Sequence, residues 1–375
     1  MAIPRISIFV IGMYLLVNGM VHGRGIHRLA DPNLAQIITK WEDSNTTYST
    51  KAYDFESSTL FKLFDYEYLK QHTLPDGPIS FKYTPTKSVD GTVLKKKITA
   101  LIDHLNKRRS LKNIPDFKVL KKNNYNTRNR TGALILAFKD LPFVVKVFSE
   151  TPYTFVRPRF RDLEQRCLFK LSGGVSRYLT GFTRIKNLDF IREHIQNNPT
   201  WNTTVDTPRK WFWIPPQARW FELKGINVNG IPEQTISYPS TYVTIADKIE
   251  IERTFTLNDA EDRHLVMGFT TGIGEYPDPN ISNYVIDKKG HIMFLDSEHF
   301  PSNLGMREPF DYKTHGTWYN HLIKKFFKDV YFRTKAERLT IRHGQHKEIM
   351  PCKGSKRQLE LLRKTQQKPT LKPNK

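Results

Sequence analysis

The sequence predicts an α+β protein, and three observations lead there. Short apolar runs rich in Val, Ile and Phe cluster over residues 117–120, 133–138 and 143–148, the last two joined by a turn at 139–142, which is the texture of an antiparallel meander. Upstream of them lie two stretches with helical spacing. Downstream, residues 284–286 and 291–295 flank a turn at 287–290, a second hairpin, and a broad apolar helix face follows over 318–330.

Taken in order, the chain begins with Arg5 and an apolar run over residues 6–21 that ends near the small residues Gly19 and Gly23. This is the pattern of a secretory signal peptide, assigned to residues 1–23. At 16 residues the run is shorter than the roughly 20 that a spanning helix prefers. A signal anchor and a buried helix are the alternatives. Residues 24–57 are polar and weakly periodic. Ser58 then has the character of a cap for a helix with Leu60, Leu63, Phe64 and Tyr68 on one face. After a turn-rich stretch at 75–78, a helix is expected over 93–109, with Leu94, Ile98, Leu101, Ile102 and Leu105 aligned. These elements form an N-terminal helical extension, 24–115, with a supporting role. Further strands are expected at 211–214, 220–223 and 242–245, and a helix around 161–171.

A hydrophobic fraction of 38% with 12% aromatic residues supplies a core and excludes wholesale disorder. With only Cys167 and Cys352, neither a disulfide framework nor a cysteine-based zinc site can be assembled, and a single bridge between the two stays open. The four glycosylation sequons, at Asn45, Asn129, Asn202 and Asn280, are taken as chance matches. The formal charge is +22. Eight Lys or Arg against Glu360 in residues 353–375 account for about a third of it, and 346–375 is read as a basic disordered tail. Such a surface attracts phosphate-bearing partners without regard to sequence. A generally basic protein surface is the plainer reading; an anionic lipid or protein is the alternative partner, and the charge by itself does not exclude nucleic acid. Trp211, Trp213 and Trp220 sit within apolar runs and are expected to pack in the core, base stacking being the alternative.

The segment 272–300 carries the chemistry. Asp278 and Asn283 lie five apart in a loop rich in Pro and Asn, and the hairpin then returns the chain so that Asp296 can face the same point. Phosphoryl transfer needs metal ions on the phosphate oxygens and a carboxylate that orients the acceptor hydroxyl. Asn283 and Asp296 offer hard oxygen ligands for Mg2+. Asp278 is the candidate catalytic base. On the strand over 143–148, alternation puts Lys146 on the face of Val144 and Phe148. A solvent-facing edge lysine is the plainer alternative. Glu164 is its natural partner, in competition with Glu150, Asp162 and Glu193.

These spacings resemble the catalytic and metal-binding loops of the protein-kinase-like superfamily. The nearest pattern is that of phosphoinositide-type lipid kinases, Gly-Ile-Gly, Asp-x-x-x-x-Asn, hairpin, Asp-x-x-His-Phe, matched here by 272–274, 278–283 and 296–300. The Asp-x-Glu of Asp296 and Glu298 is similar to choline and aminoglycoside kinases. The resemblance implies a two-lobed kinase-like fold, with an antiparallel-sheet small lobe at 116–250 and a short, mainly helical large lobe at 251–345. It further implies ATP as cofactor, with Lys146 and Glu164 at the nucleotide phosphates, Mg2+ on Asn283 and Asp296, and γ-phosphate transfer to a hydroxyl acceptor by way of Asp278. A secreted, catalytically inactive pseudokinase that binds an anionic partner is the competing function. It draws weight from the missing glycine-rich loop, since residues 121–132 are rich in Asn and Arg. Pro279 and Asn280 stand where the lipid kinases have Arg-His, and Ser297 and Glu298 where they have Phe-Gly.

Overall fold

The computed structural model describes residues 35–52, 63–108, 110–122, 125–156, 174–228, 231–256, 258–273 and 281–297. The expected signal segment, the helix start at Ser58, the helices around 161–171 and at 318–330 and the basic tail lie outside these, as do Glu164 and Asp278.

The stretch expected to be helical begins with strands. β1 (Ala35–Trp41) and β2 (Thr47–Ala52) form a hairpin across a turn containing Asp43, Ser44 and Asn45. Isolated hairpins are marginal in water, and this one is completed by pairing β1 to β10 (Trp220–Val228), which pairs in turn with β11 (Ile231–Pro239). The partners are nearly two hundred residues away in sequence, so local periodicity carries little sign of them.

Among the described residues the first helix is α1 (Tyr66–Gln71), with Asp65 as its cap: the Asp65 carboxylate accepts from the Tyr68 amide at 3.1 Å. Strands β3 (Pro78–Ser80) and β4 (Ser88–Asp90) make a small ribbon. Helix α2 (Gly91–Lys107) matches its prediction, capped by Asp90 on the Thr92 amide at 2.8 Å. Its five aligned apolar residues, Leu94, Ile98, Leu101, Ile102 and Leu105, are all buried against the central sheet. At about 2 kcal/mol for each fully buried aliphatic side chain, that stripe explains why a highly basic helix stays docked.

The central sheet is antiparallel, in the order β5 (Phe117–Lys121), β6 (Gly132–Phe138), β7 (Phe143–Ser149), β12 (Thr241–Asp247), β9 (Lys210–Trp213). One face, with Val145, Val147, Val243 and Ile245, packs on α2, and Trp211 and Trp213 join that core as expected. Between β7 and β9 come α3 (Pro152–Val156), α4 (Gly174–Gly181) and α5 (Thr183–Gln196). Gly181 lets α4 lie close to Tyr242, whose hydroxyl donates to the Tyr178 carbonyl; a β-carbon at Gly181 would lie 1.9 Å from that hydroxyl. Tyr242 stacks between Phe148 and Phe182, with ring centroids 4.9 and 4.2 Å away.

The last block contains β13 (Ile251–Thr254), α6 (Ala260–Gly272), a 3-10 turn (Ile281–Asn283), β14 (Tyr284–Asp287) and β15 (Ile292–Phe294). The expected hairpin at 284–295 is present as β14–β15. Gly290, at φ +84°, takes the left-handed position in its turn. The short β8 (Val205–Asp206) runs parallel to β15. Leu188, Ile191 and Ile195 of α5 pack with Val266 and Phe269 of α6 and Tyr284 and Phe294 of the hairpin. Helix α5 thereby ties the central sheet to the hairpin. The result is a mixed α/β protein with several antiparallel sheets and few helices among the described residues.

Candidate functional site

The site grows from the sheet face opposite α2. In register, Lys146 on β7 sits beside Thr244 on β12 and Phe212 on β9, and Val144 sits beside Ala246 and Lys210. Cross-strand partners share a face, as do residues two apart on one strand. Lys146 and Lys210 therefore project from the same side. The expected alignment of Lys146 with Val144 and Phe148 holds, and the edge-strand alternative does not, because β7 is the middle strand of five.

The β14–β15 hairpin brings the other half. The Leu295 amide donates to the Asn283 carbonyl at 2.7 Å, which puts Asn283 and Asp296 together at the hairpin's open end. From there the Asp296 carboxylate reaches the sheet, with Lys146 Nζ 3.4 Å from Oδ2 and the Arg184 guanidinium ion-paired to Oδ1.

Arg184 was not among the expected site residues, although its signal is in the sequence. It lies four, seven and eleven residues before Leu188, Ile191 and Ile195, so a charged residue occupies the apolar stripe of α5. It is 1% exposed, and its guanidinium carbon is 5.5 Å from the centroid of the Phe148 ring. It also stands on the first turn of α5, where the helix dipole disfavours a cation. Such a placement needs an anion in front of it, and Asp296 supplies one.

Ser297 extends the arrangement. Its hydroxyl donates to the Arg184 carbonyl at 2.6 Å and accepts from Lys210 Nζ at 2.7 Å, and its carbonyl accepts from Asn187 Nδ2 at 3.0 Å. Ser297, Asn187 and Lys210 are all buried. Side chains from β7, α5 and β9 thus grip the dipeptide Asp296–Ser297, and the polar stripe residue Asn187 was the second missed signal. Of the competitors for Lys146, Glu150 is engaged at α3, accepting from the Thr151 amide at 3.0 Å and from the Thr154 hydroxyl. Glu193 lies exposed toward the far end of α5.

Chemically, two cations in a low-dielectric setting form a receptor for oxyanions, in which the planar guanidinium matches a phosphate in bidentate fashion. A magnesium ion is a different matter. It requires bare oxygens in near-octahedral array, whereas both oxygens of Asp296 already carry cations, one of them an arginine that keeps its proton. Mg2+ does not fit on Asp296 beside Arg184 in this arrangement.

Asp206, Asp287 and His291 form a separate group, their candidate ligand atoms within 4.8 Å of one another. They sit at the turn end of the hairpin, away from Asp296. Protein donors already hold the carboxylates: Lys82 pairs with Asp206, and Asp287 accepts from Tyr83 at 3.1 Å and from the amides of Lys289 and His291. The group closes the turn onto β3–β4 and β8.

No protein-family model, curated protein or solved structure matches the chain.

Proposed function

We propose that the chain is a kinase-like protein that binds the phosphates of ATP at Lys146. One observation carries this reading: the Lys146–Asp296 ion pair joins the third strand of an antiparallel sheet to the segment just after a hairpin. Protein kinases keep their phosphate lysine on the third strand and their metal-binding aspartate downstream. The agreement of strand, hairpin and ion pair supports a two-lobed kinase-like arrangement. Phosphoryl transfer to a hydroxyl acceptor, with Asp278 orienting it, is the enzymatic form of the proposal. Export through the N-terminal apolar run belongs to the same reading. Among the described residues no helix is long and apolar enough to cross a membrane.

A second reading is favoured by the Arg184–Asp296 pair. A kinase-like protein whose aspartate is engaged by arginine holds a nucleotide without turning it over, which is the pseudokinase alternative. Calorimetric titration of ATP into the wild-type chain and Lys146→Met tests the shared premise. A loss of about tenfold or more in affinity is expected when the lysine goes. A wild-type chain that binds no ATP, with or without Mg2+, refutes it. Transfer of labelled γ-phosphate, abolished in Asp278→Ala, separates the enzyme from the pseudokinase.

A further inference from the structure

We infer that Arg184 stands in for the divalent cation at this site, so that the chain binds nucleotide polyphosphate without magnesium. The inference rests on the nucleotide-binding reading above and goes beyond it by naming the group that neutralises the phosphates.

A metal-dependent site leaves its carboxylate open, because the aspartate has to offer oxygen to the ion. Asp296 instead carries Lys146 on one oxygen and Arg184 on the other. Nor is Arg184 a surface side chain that has swung inward. It is fully buried, packed over Phe148, and its own carbonyl accepts the Ser297 hydroxyl, so the residue that bonds Asp296 also anchors the next residue of the same dipeptide. Lys210 and Asn187 hold that dipeptide from two further sides. An incoming divalent ion has to displace a buried guanidinium or stand against its charge.

A phosphate chain has to displace the Asp296 carboxylate and not a guanidinium. It brings oxyanions to a guanidinium and an ammonium that already meet on one carboxylate, and exchange of Asp296 for phosphate oxygens keeps both cations paired. Asp296 then acts in the opposite sense to a metal ligand. It keeps Lys146 and Arg184 in register until the ligand's oxygens take them over. The cations sit in low dielectric, so their pull on a polyphosphate exceeds that of surface lysines.

The test is calorimetric titration of ATP into the full chain, once in excess EDTA and once in excess MgCl2. Comparable affinity in both supports the inference. Arg184→Met is expected to lose about tenfold or more in EDTA, on the scale of one charge-assisted hydrogen bond. Arg184→Lys, which keeps the charge without the fork, falls between. Asp296→Asn, which removes the competing anion, binds ATP as tightly as wild type or more tightly. ATP binding that requires Mg2+ and disappears in Asp296→Asn overturns the inference and leaves the kinase-like reading standing, with Arg184 a group the metal displaces. Absence of binding in both buffers overturns the two together. The wild-type comparison needs no variant, so a poorly folding Arg184→Met still leaves a decisive result.

Discussion

Replacing Ser297 by alanine removes one oxygen atom, and the structure sets what that does. The hydroxyl joins two buried partners, donating to the Arg184 carbonyl at 2.6 Å and accepting from the Lys210 ammonium at 2.7 Å. A hydrogen bond to a charged group contributes about 1.5–3 kcal/mol and a neutral one about 0.5–1.5. The sum, about 2–4 kcal/mol, is large against a total stability of roughly 5–15 kcal/mol. Urea unfolding followed by tryptophan fluorescence reads it as a drop in the midpoint at unchanged slope. Lys210→Met should cost a similar amount, because it withdraws the other partner of the same bond. In the double variant the two losses should not add, since replacing both partners by apolar groups is close to neutral for their shared bond; a coupling of about 1 kcal/mol or more is expected. If Ser297→Ala stays within about 0.5 kcal/mol of wild type, as an ordinary surface change does, Ser297 does not anchor the dipeptide and Asp296 is positioned by other means.

Gly181→Ala should destabilise by about 1–3 kcal/mol, because the new methyl lies 1.9 Å from the Tyr242 hydroxyl and two stacked rings block that residue's retreat. Adding Tyr242→Phe should recover part of the loss in the same unfolding assay. Leu94→Ala, at a fully buried position on α2, should cost about 2–5 kcal/mol yet leave ATP affinity unchanged under native conditions, since α2 supports the sheet from the face away from Lys146. Burial alone would raise the Asp287 carboxyl, but amide hydrogen bonds from His291 and Lys289 and the Tyr83 hydroxyl outweigh it and hold its pKa below the ordinary value. A depressed carboxyl adds stability that is complete above its unfolded pKa and lost as pH falls through the folded one. Unfolding free energy measured against pH should therefore decline on the acid side in wild type and less steeply in Asp287→Asn.

Several elements were legible in the chain because their determinants are local. The stripe and Asp90 cap of α2, the alternation that aims Lys146 with Val144 and Phe148, and the turn that folds 284–295 into a hairpin are each written within about twenty residues. The hairpin that returns the chain from Asn283 toward Asp296 was legible likewise, and Leu295 bonds the Asn283 carbonyl at its open end. What periodicity did not reveal was pairing over long sequence distance. Strands β1 and β2 look like weakly patterned polar chain until β10 supplies the missing edge, and the insertion of β12 between β7 and β9 places Lys210 on the same face as Lys146.

The sequence by itself determined that a lysine strand and an aspartate hairpin exist, because each depends on side-chain alternation and turn chemistry within one short segment. Only the tertiary structure decided what surrounds the aspartate. Arg184 and Asn187 look like irregularities in the apolar stripe of a helix, and Lys210 like any lysine beside a tryptophan, until packing carries them to Asp296 and Ser297. Burial supplies the physical reason: a charge excluded from water must find its partner wherever the fold brings one, and that location is set by the packing of α5 between sheet and hairpin rather than by the residues on either side of Arg184.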